Sequence, residues 1–240
     1  MRIVLIRHGE PDNPHNTLTK KGFEEVEALS KYLRNFEFKQ AFTSPLARAK
    51  LTCEAVLKPL NREAIVLPWL QEFTHKVNVP HHLLKQMNWD FLPSFFTSQD
   101  DFYLNDKYLQ SEVMQSGEVD KYYQEVTSNF DLLLENYGYK RDGKLYHVIK
   151  ANRDTLVFFC HFGVMSVILS HLMNIPYLVL AQSFICPPTG ITTLVTEERE
   201  KGLAQFRCLK YGSITHLEIN NMSPSFHGRF CETYDSDERH

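Results

Sequence analysis

Two short apolar runs, far apart in the chain, end in the same way. Residues 3–6 (Ile-Val-Leu-Ile) lead into Arg7-His8-Gly9, and residues 155–160 (Thr-Leu-Val-Phe-Phe-Cys) lead into His161-Phe162-Gly163. An unbroken apolar run of this length, closed by a glycine, predicts a strand buried on both faces, the condition of strands in parallel sheets. In open α/β sheets ligands bind outside the carboxyl ends of the strands. Parallel strands would therefore bring both imidazoles, with the permanent cation of Arg7, to one binding edge. Either histidine alone could be an ordinary turn residue. Two delivered to the same edge form a constellation.

The intervening chain supplies more strands and the helices to cover them. Residues 11–17, broken by Pro11, Asn13, Pro14 and Asn16, form a loop. Thr19 is positioned to cap a helix over 20–34, with Phe23, Val26, Leu29 and Leu33 on its apolar face and Glu24, Glu25 and Lys31 off it. Residues 40–43 read as a short strand. Ser44-Pro45 then predicts a helix start, a capping hydroxyl before a proline at the first position, and the helix runs to about Leu57. Arg48, about one turn in, can reach back to a helix end whose unpaired amides favour an anion. Residues 64–67 are a further strand, and Glu72 follows closely. A carboxylate there is a candidate acid/base group or simply a solvated glutamate.

Residues 73–125 differ in texture. They hold Phe73, Trp89, Phe91, Phe95, Phe96, Phe102 and Tyr103 without long periodicity. They read as an insertion of short helices covering the site, whose aromatics form either a roomy apolar mouth or the insertion's own core. A longer helix is expected from Gly117-Glu118 to Gly138, a polar turn over 140–144, and a continued helical layer over 145–149. A buried helix follows over 164–173. Residues 191–196 and 203–209 read as a hairpin. Residues 213–218 are ambiguous, and 229–240 are expected to be a loose tail. With no repeat or linker, residues 1–240 read as one α/β domain.

Composition excludes some functions. Apolar residues make up 43% and charged residues 23%, as in ordinary globular proteins. The net charge of -3 implies no general affinity for nucleic acid, so any anion site must be local. Five cysteines, with no C-x-x-C pair, predict free thiols in a reducing compartment. The apolar run at 3–6 is only four residues long and leads straight into Arg7-His8, so no signal peptide is expected, and no apolar run reaches membrane-spanning length. The expected location is cytoplasmic, with no membrane partner and no reading of oligomeric state. His75, His81 and His82 match no ligand spacing, and neither metal nor cofactor is expected.

The motifs carry a family likeness. In order they are Arg7-His8-Gly9-Glu10, Leu18-Thr19-Lys20-Lys21-Gly22, Thr43-Ser44-Pro45-Leu46-Ala47-Arg48-Ala49, Leu70-Gln71-Glu72, Gly117-Glu118 and Cys160-His161-Phe162-Gly163. Together they resemble the histidine phosphatase superfamily in its phosphoglycerate-mutase-like branch, over roughly residues 2–196. The resemblance implies a three-layer α/β/α sandwich with a mostly parallel central sheet. It implies that His8 is the phosphorylated nucleophile, that Arg7, Arg48 and His161 complete the phosphate site, and that Glu72 is the proton donor, with Glu10 as a second candidate. The chain departs from the pattern in Phe162, where many members have a small residue, and in Phe73-Thr74-His75, where a glycine-rich continuation is usual.

The chemistry fits these groups. A phosphomonoester is a dianion whose oxygens must be neutralised while the nucleophile is held in line. Arginine stays charged and donates in a planar fork. Two arginines and a protonated His161 would balance the transferring group. A neutral imidazole at His8 can attack, splitting hydrolysis into two steps. A carboxyl at Glu72 can protonate the leaving alkoxide and then accept a proton from water. The expected activity is hydrolysis of a small phosphorylated metabolite. The alternatives are a mutase that returns the phosphoryl group, and a non-catalytic phosphoryl-binding protein on the same fold.

Overall fold

The first apolar run sorts its side chains between two cores. The computed structural model describes residues 1–238, and in it strand β1 (Arg2–Arg7) sends Ile3 and Leu5 to one face of a sheet and Val4 and Ile6 to the other. Each of the four is at most 2% exposed. At roughly 1.5–3 kcal/mol per buried aliphatic side chain, this strand alone ties the two outer layers to the sheet. The other strands of this sheet are β2 (Gln40–Thr43), β3 (Ala64–Val66), β4 (Tyr139–Asp142), β5 (Leu145–Val148), β6 (Thr155–Cys160), β7 (Ile191–Glu200) and β8 (Leu203–Ser213). Their order across the sheet is β3-β2-β6-β1-β7-β8-β5-β4. Two small two-stranded sheets stand apart, one pairing Pro11–Asp12 with Thr17–Leu18 in the segment expected to be a loop.

Helices α1 (Lys20–Tyr32) and α2 (Ala47–Leu57) cover one face through Leu29, Cys53, Val56 and Leu57. Helices α3 (Val119–Asn136) and α4 (Phe162–Met173) cover the other, where Phe130 meets Phe158, itself stacked on Phe42 at 4.9 Å. A shorter helix, α5 (Tyr177–Ser183), packs on α4. The result is the three-layer α/β/α arrangement. The sheet is mixed: β3, β2, β6 and β1 run parallel, whereas β7, β8, β5 and β4 are joined antiparallel. Parallel pairing thus describes the half of the sheet that ends in the histidines.

Four local expectations are corrected. Residues 145–149 are not helical: Gly143, at φ +57°, turns β4 back into β5, and Tyr146 is buried beside Phe206. Helix α2 begins at Ala47 rather than at Pro45, because the Ser44 hydroxyl bonds His161 and backbone Leu46 instead of capping a first turn. On α1, capped by Thr19 as expected, Phe23 is exposed and Glu25 is fully buried. The Glu25 carboxylate accepts from the Ser225 amide at 2.8 Å and the Glu10 amide at 3.3 Å. The fourth concerns the tail. Residues 229–234 have no regular structure, yet they line the main cavity. Residues 239–240 lie outside the described residues.

Candidate active site

Strand register sets the site. Arg7 pairs with Cys160 and Phe159 with Thr43, so the residues that leave the three strands, His8, His161 and Ser44, emerge side by side. Backbone bonds continue past the strand ends, from His8 N to Cys160 O at 3.0 Å and from Ser44 N to Phe159 O at 2.9 Å. The two imidazole centroids lie 5.0 Å apart, and both rings are buried.

The bonds of His8 define its tautomer. Nδ1 lies 2.7 Å from the Gly9 carbonyl, which can only accept, so Nδ1 carries the hydrogen. Arg48 donates through Nε to His8 Nε2 at 3.1 Å, so Nε2 holds the lone pair. Burial first, and then the neighbouring His161, Arg7 and Arg48, hold the His8 pKa well below the usual histidine range. His8 is therefore a neutral imidazole with an available Nε2. Gly9 is fixed in turn by its amide bond to Thr52 Oγ1 at 3.0 Å.

His161 occupies the N-cap position of α4, and its Nε2 lies 2.7 Å from Ser44 Oγ. Burial, Arg48 and Arg7 lower its pKa well below the usual value, so it is neutral without an anion beside it. Arg7 donates through Nη1 to Cys186 O at 2.6 Å. Among the described residues, Arg7 Nε and His161 Nδ1 are buried without a hydrogen-bonding partner. Both could serve phosphoryl oxygens.

Glu72 approaches from the far side. Its Oε1 accepts from the amides of Phe73 and Gly163, each at 2.9 Å. The Gly163 amide belongs to the first turn of α4, where a carboxylate is favoured. A Cβ at Gly163 would lie 2.7 Å from that oxygen, so glycine permits the approach. Oε2 has no partner among the described residues. Glu10, the second candidate acid, is engaged elsewhere: its Oε2 accepts from Thr19 Oγ1 at 2.8 Å, and it does not line the cavity.

Ligand atoms of His8, Glu72 and His161 lie within 4.8 Å of one another, a set that could hold a metal ion. Arg7 and Arg48 line the same cavity, however, and their two positive charges suit an anion better than a dication. The thiols beside the site are not competing nucleophiles at neutral pH. Burial raises Cys160 well above its usual pKa and pushes Cys186 up to about 11.

All five residues singled out from sequence thus gather at one edge, four of them, Arg7, His8, Arg48 and Glu72, on the wall of a cavity of about 780 Å³. Residues 3–102, somewhat under half of the chain, match the model of the histidine phosphatase superfamily, branch 1. A 2,3-bisphosphoglycerate-dependent phosphoglycerate mutase of Histophilus somni (strain 2336) is 36% identical over 94 residues, covering 34% of this chain and 39% of the mutase. The matched part is thus well under half the length of that relative. Two solved structures share the fold over most of their length. A phosphoserine phosphatase mutant from Entamoeba histolytica, in complex with phosphoserine, covers 90% of this chain and 98% of its own, at 18% identity and a TM-score of 0.56. The alpha-ribazole phosphatase from Shigella flexneri covers 89% and 97%, at 20% identity and a TM-score of 0.57.

Around this site, sequence reasoning missed several contributors. Ser44 reads from sequence as a helix cap, and Cys186 carries no signal because its role depends on a contact across the sheet edge. Gly163 had a signal, its place after the second histidine, but it read as a turn rather than as room for Glu72. The segment over 225–234 had none.

Proposed function

We propose that this chain is a metal-independent phosphomonoester hydrolase that works through a phosphohistidine at His8. One observation carries the reading. His8 is locked by Gly9 and Arg48 in the tautomer that offers Nε2, with a second guanidinium and a second imidazole beside it. In the proposed reaction the phosphoryl oxygens lie against Arg7, Arg48 and His161. The dianion favours the protonated form of His161, which its surroundings disfavour in the free protein. Nε2 attacks phosphorus, and the P–O bond to the alcohol breaks. The proton for the departing oxygen comes from Glu72, whose Oε1 stays on its two amides. Glu72 then takes a proton from the water that cleaves the P–N bond, releasing phosphate and restoring His8.

A mutase would use the same first step and return the phosphoryl group to the substrate. The N-terminal matches are named mutases, but proteins similar over nine-tenths of this chain are named phosphatases, and we favour hydrolysis. The substrate is a phosphorylated small molecule. Five free cysteines support a reducing, cytoplasmic setting.

The test is labelling. Phosphoryl donor should leave an acid-labile label on the wild-type protein and none on His8→Ala, with phosphatase activity falling at least about a thousandfold. Activity within threefold of wild type in a folded His8→Ala protein would refute the nucleophile.

A further inference from the structure

Arg7, His8, Arg48 and Glu72, the side chains assigned to the phosphoryl group, line only one end of the cavity. At roughly 20–30 Å³ per heavy atom, about the share of a molecule in liquid water, a phosphoryl group needs on the order of 100 Å³. The cavity of about 780 Å³ is far larger. Three separate parts of the chain build the remainder. Trp89 and Leu92 come from the insertion, Phe184 and Ile185 from the end of α5, and Phe230 from the C-terminal segment.

Most of these side chains are apolar yet uncovered. Leu92, Phe184, Ile185 and Phe230 are each between 45% and 63% exposed. Single exposed apolar residues are ordinary, but a group of them converging on one cavity marks a binding surface. The insertion's aromatics divide in two. Phe96 and Phe102 are buried and pack on each other as its core, whereas Trp89 turns to the cavity, its ring 5.6 Å from that of Phe162. Phe162 in turn lies 5.8 Å from the Arg7 guanidinium. Trp89 and Phe162 thus carry apolar surface inward as far as Arg7.

The charges in the outer cavity do not suit a second acidic group on the substrate. Arg229 is the arginine there, and it is paired with Glu232 at 2.8 Å. Asp90 and His227 also line the cavity. We propose that the substrate is a monophosphate of a bulky apolar or aromatic alcohol, and that Phe162, Trp89, Phe184 and Phe230 form the subsite for that alcohol. This inference rests on the phosphomonoester reading above and names its substrate class.

The experiment uses esters whose alcohols differ in size but little in acidity: methyl, butyl, hexyl and 2-phenylethyl phosphate. In the wild type, kcat/KM should rise at least about tenfold from the smallest to the largest, as burial of added methylenes predicts. The matching phosphonates, followed by titration calorimetry, should tighten in the same order. Phe184 and Phe230 are 45% and 55% exposed, and Phe184→Ala and Phe230→Ala should each flatten both series while circular dichroism shows the fold kept. A flat series in the wild type, in turnover and in phosphonate binding, would overturn the inference. Absent turnover with the phosphonate series intact would uphold the subsite and overturn the hydrolase reading instead.

Discussion

The two ends of the cavity are built differently. The inner end hangs from adjacent strands whose register places His8, Ser44 and His161 within one hydrogen-bonded network. The outer end is assembled from segments without regular structure, at 89–92, 184–185 and 227–234. Strand ends fix atoms to a fraction of an ångström because every neighbouring backbone group is paired, and transfer of a phosphoryl group needs that fixity. Recognition of an apolar group tolerates looser walls, since the hydrophobic effect depends on area more than on direction. The proposed chemistry and the proposed selectivity therefore fall on parts of the fold with different mechanical character.

The contrast is most exposed at Gly163. There the helix that carries His161 meets the loop that carries Glu72. Gly163→Ala would put a methyl 2.7 Å from Glu72 Oε1 and 3.2 Å from Phe73 Cβ, displacing the carboxyl. We expect kcat to fall a hundredfold or more, in keeping with the roughly 10²-fold cost of an ångström-scale misplacement. The loss should be greater for alkyl than for aryl phosphates, because a poor leaving group depends more on the proton. Equal losses would detach Glu72 from that role.

A second prediction concerns the anchor of the outer end. Glu25 holds the amide of Ser225, at the base of the C-terminal segment, and burial raises its pKa from 4.5 to about 7. The folded chain keeps this carboxyl protonated over a range in which the unfolded chain ionises it. Its contribution to stability is therefore complete below about pH 4.5, declines as pH rises to about 7, and is flat above. Glu25→Gln cannot titrate. The unfolding free energy of the wild type, taken relative to Glu25→Gln, should drop by about 3 kcal/mol across that window. Parallel urea-denaturation profiles against pH would show that Glu25 is not the group responsible.

The smallest effect is expected where the two ends touch. Gly228 has φ +84°, and a Cβ there would collide with the guanidinium of Arg7. Gly228→Ala should lift the C-terminal segment and cost about tenfold in kcat/KM, mainly through KM, a size that one backbone strain and one lost contact can supply. Unchanged steady-state constants would mean that the outer end moves independently of the phosphate groups.

Much of the inner end was legible before any coordinates. The runs before His8 and His161 announce buried strands, and their parallel pairing follows from being apolar on both faces. Arg48 could be placed near a helix start, although the start itself lies at Ala47 because Ser44 serves His161. The outer end was not legible. Trp89 and Phe96 look alike in sequence, yet one faces the cavity and the other the insertion's core. Glu25 looked like a solvated helix residue, and its burial follows from Ser225, 200 positions away.

The sequence by itself determined which residues gather at the inner end, because strand, turn and charged residue are consecutive and their geometry is local. It also determined the α/β layering, through apolar runs and helical periodicity. Only the tertiary structure decided the mixed sheet, the choice of Glu72 over Glu10 as the carboxyl at the site, and the part played by the C-terminal segment. Each of these depends on contacts between distant residues, and no local pattern of side chains specifies which distant surfaces will meet.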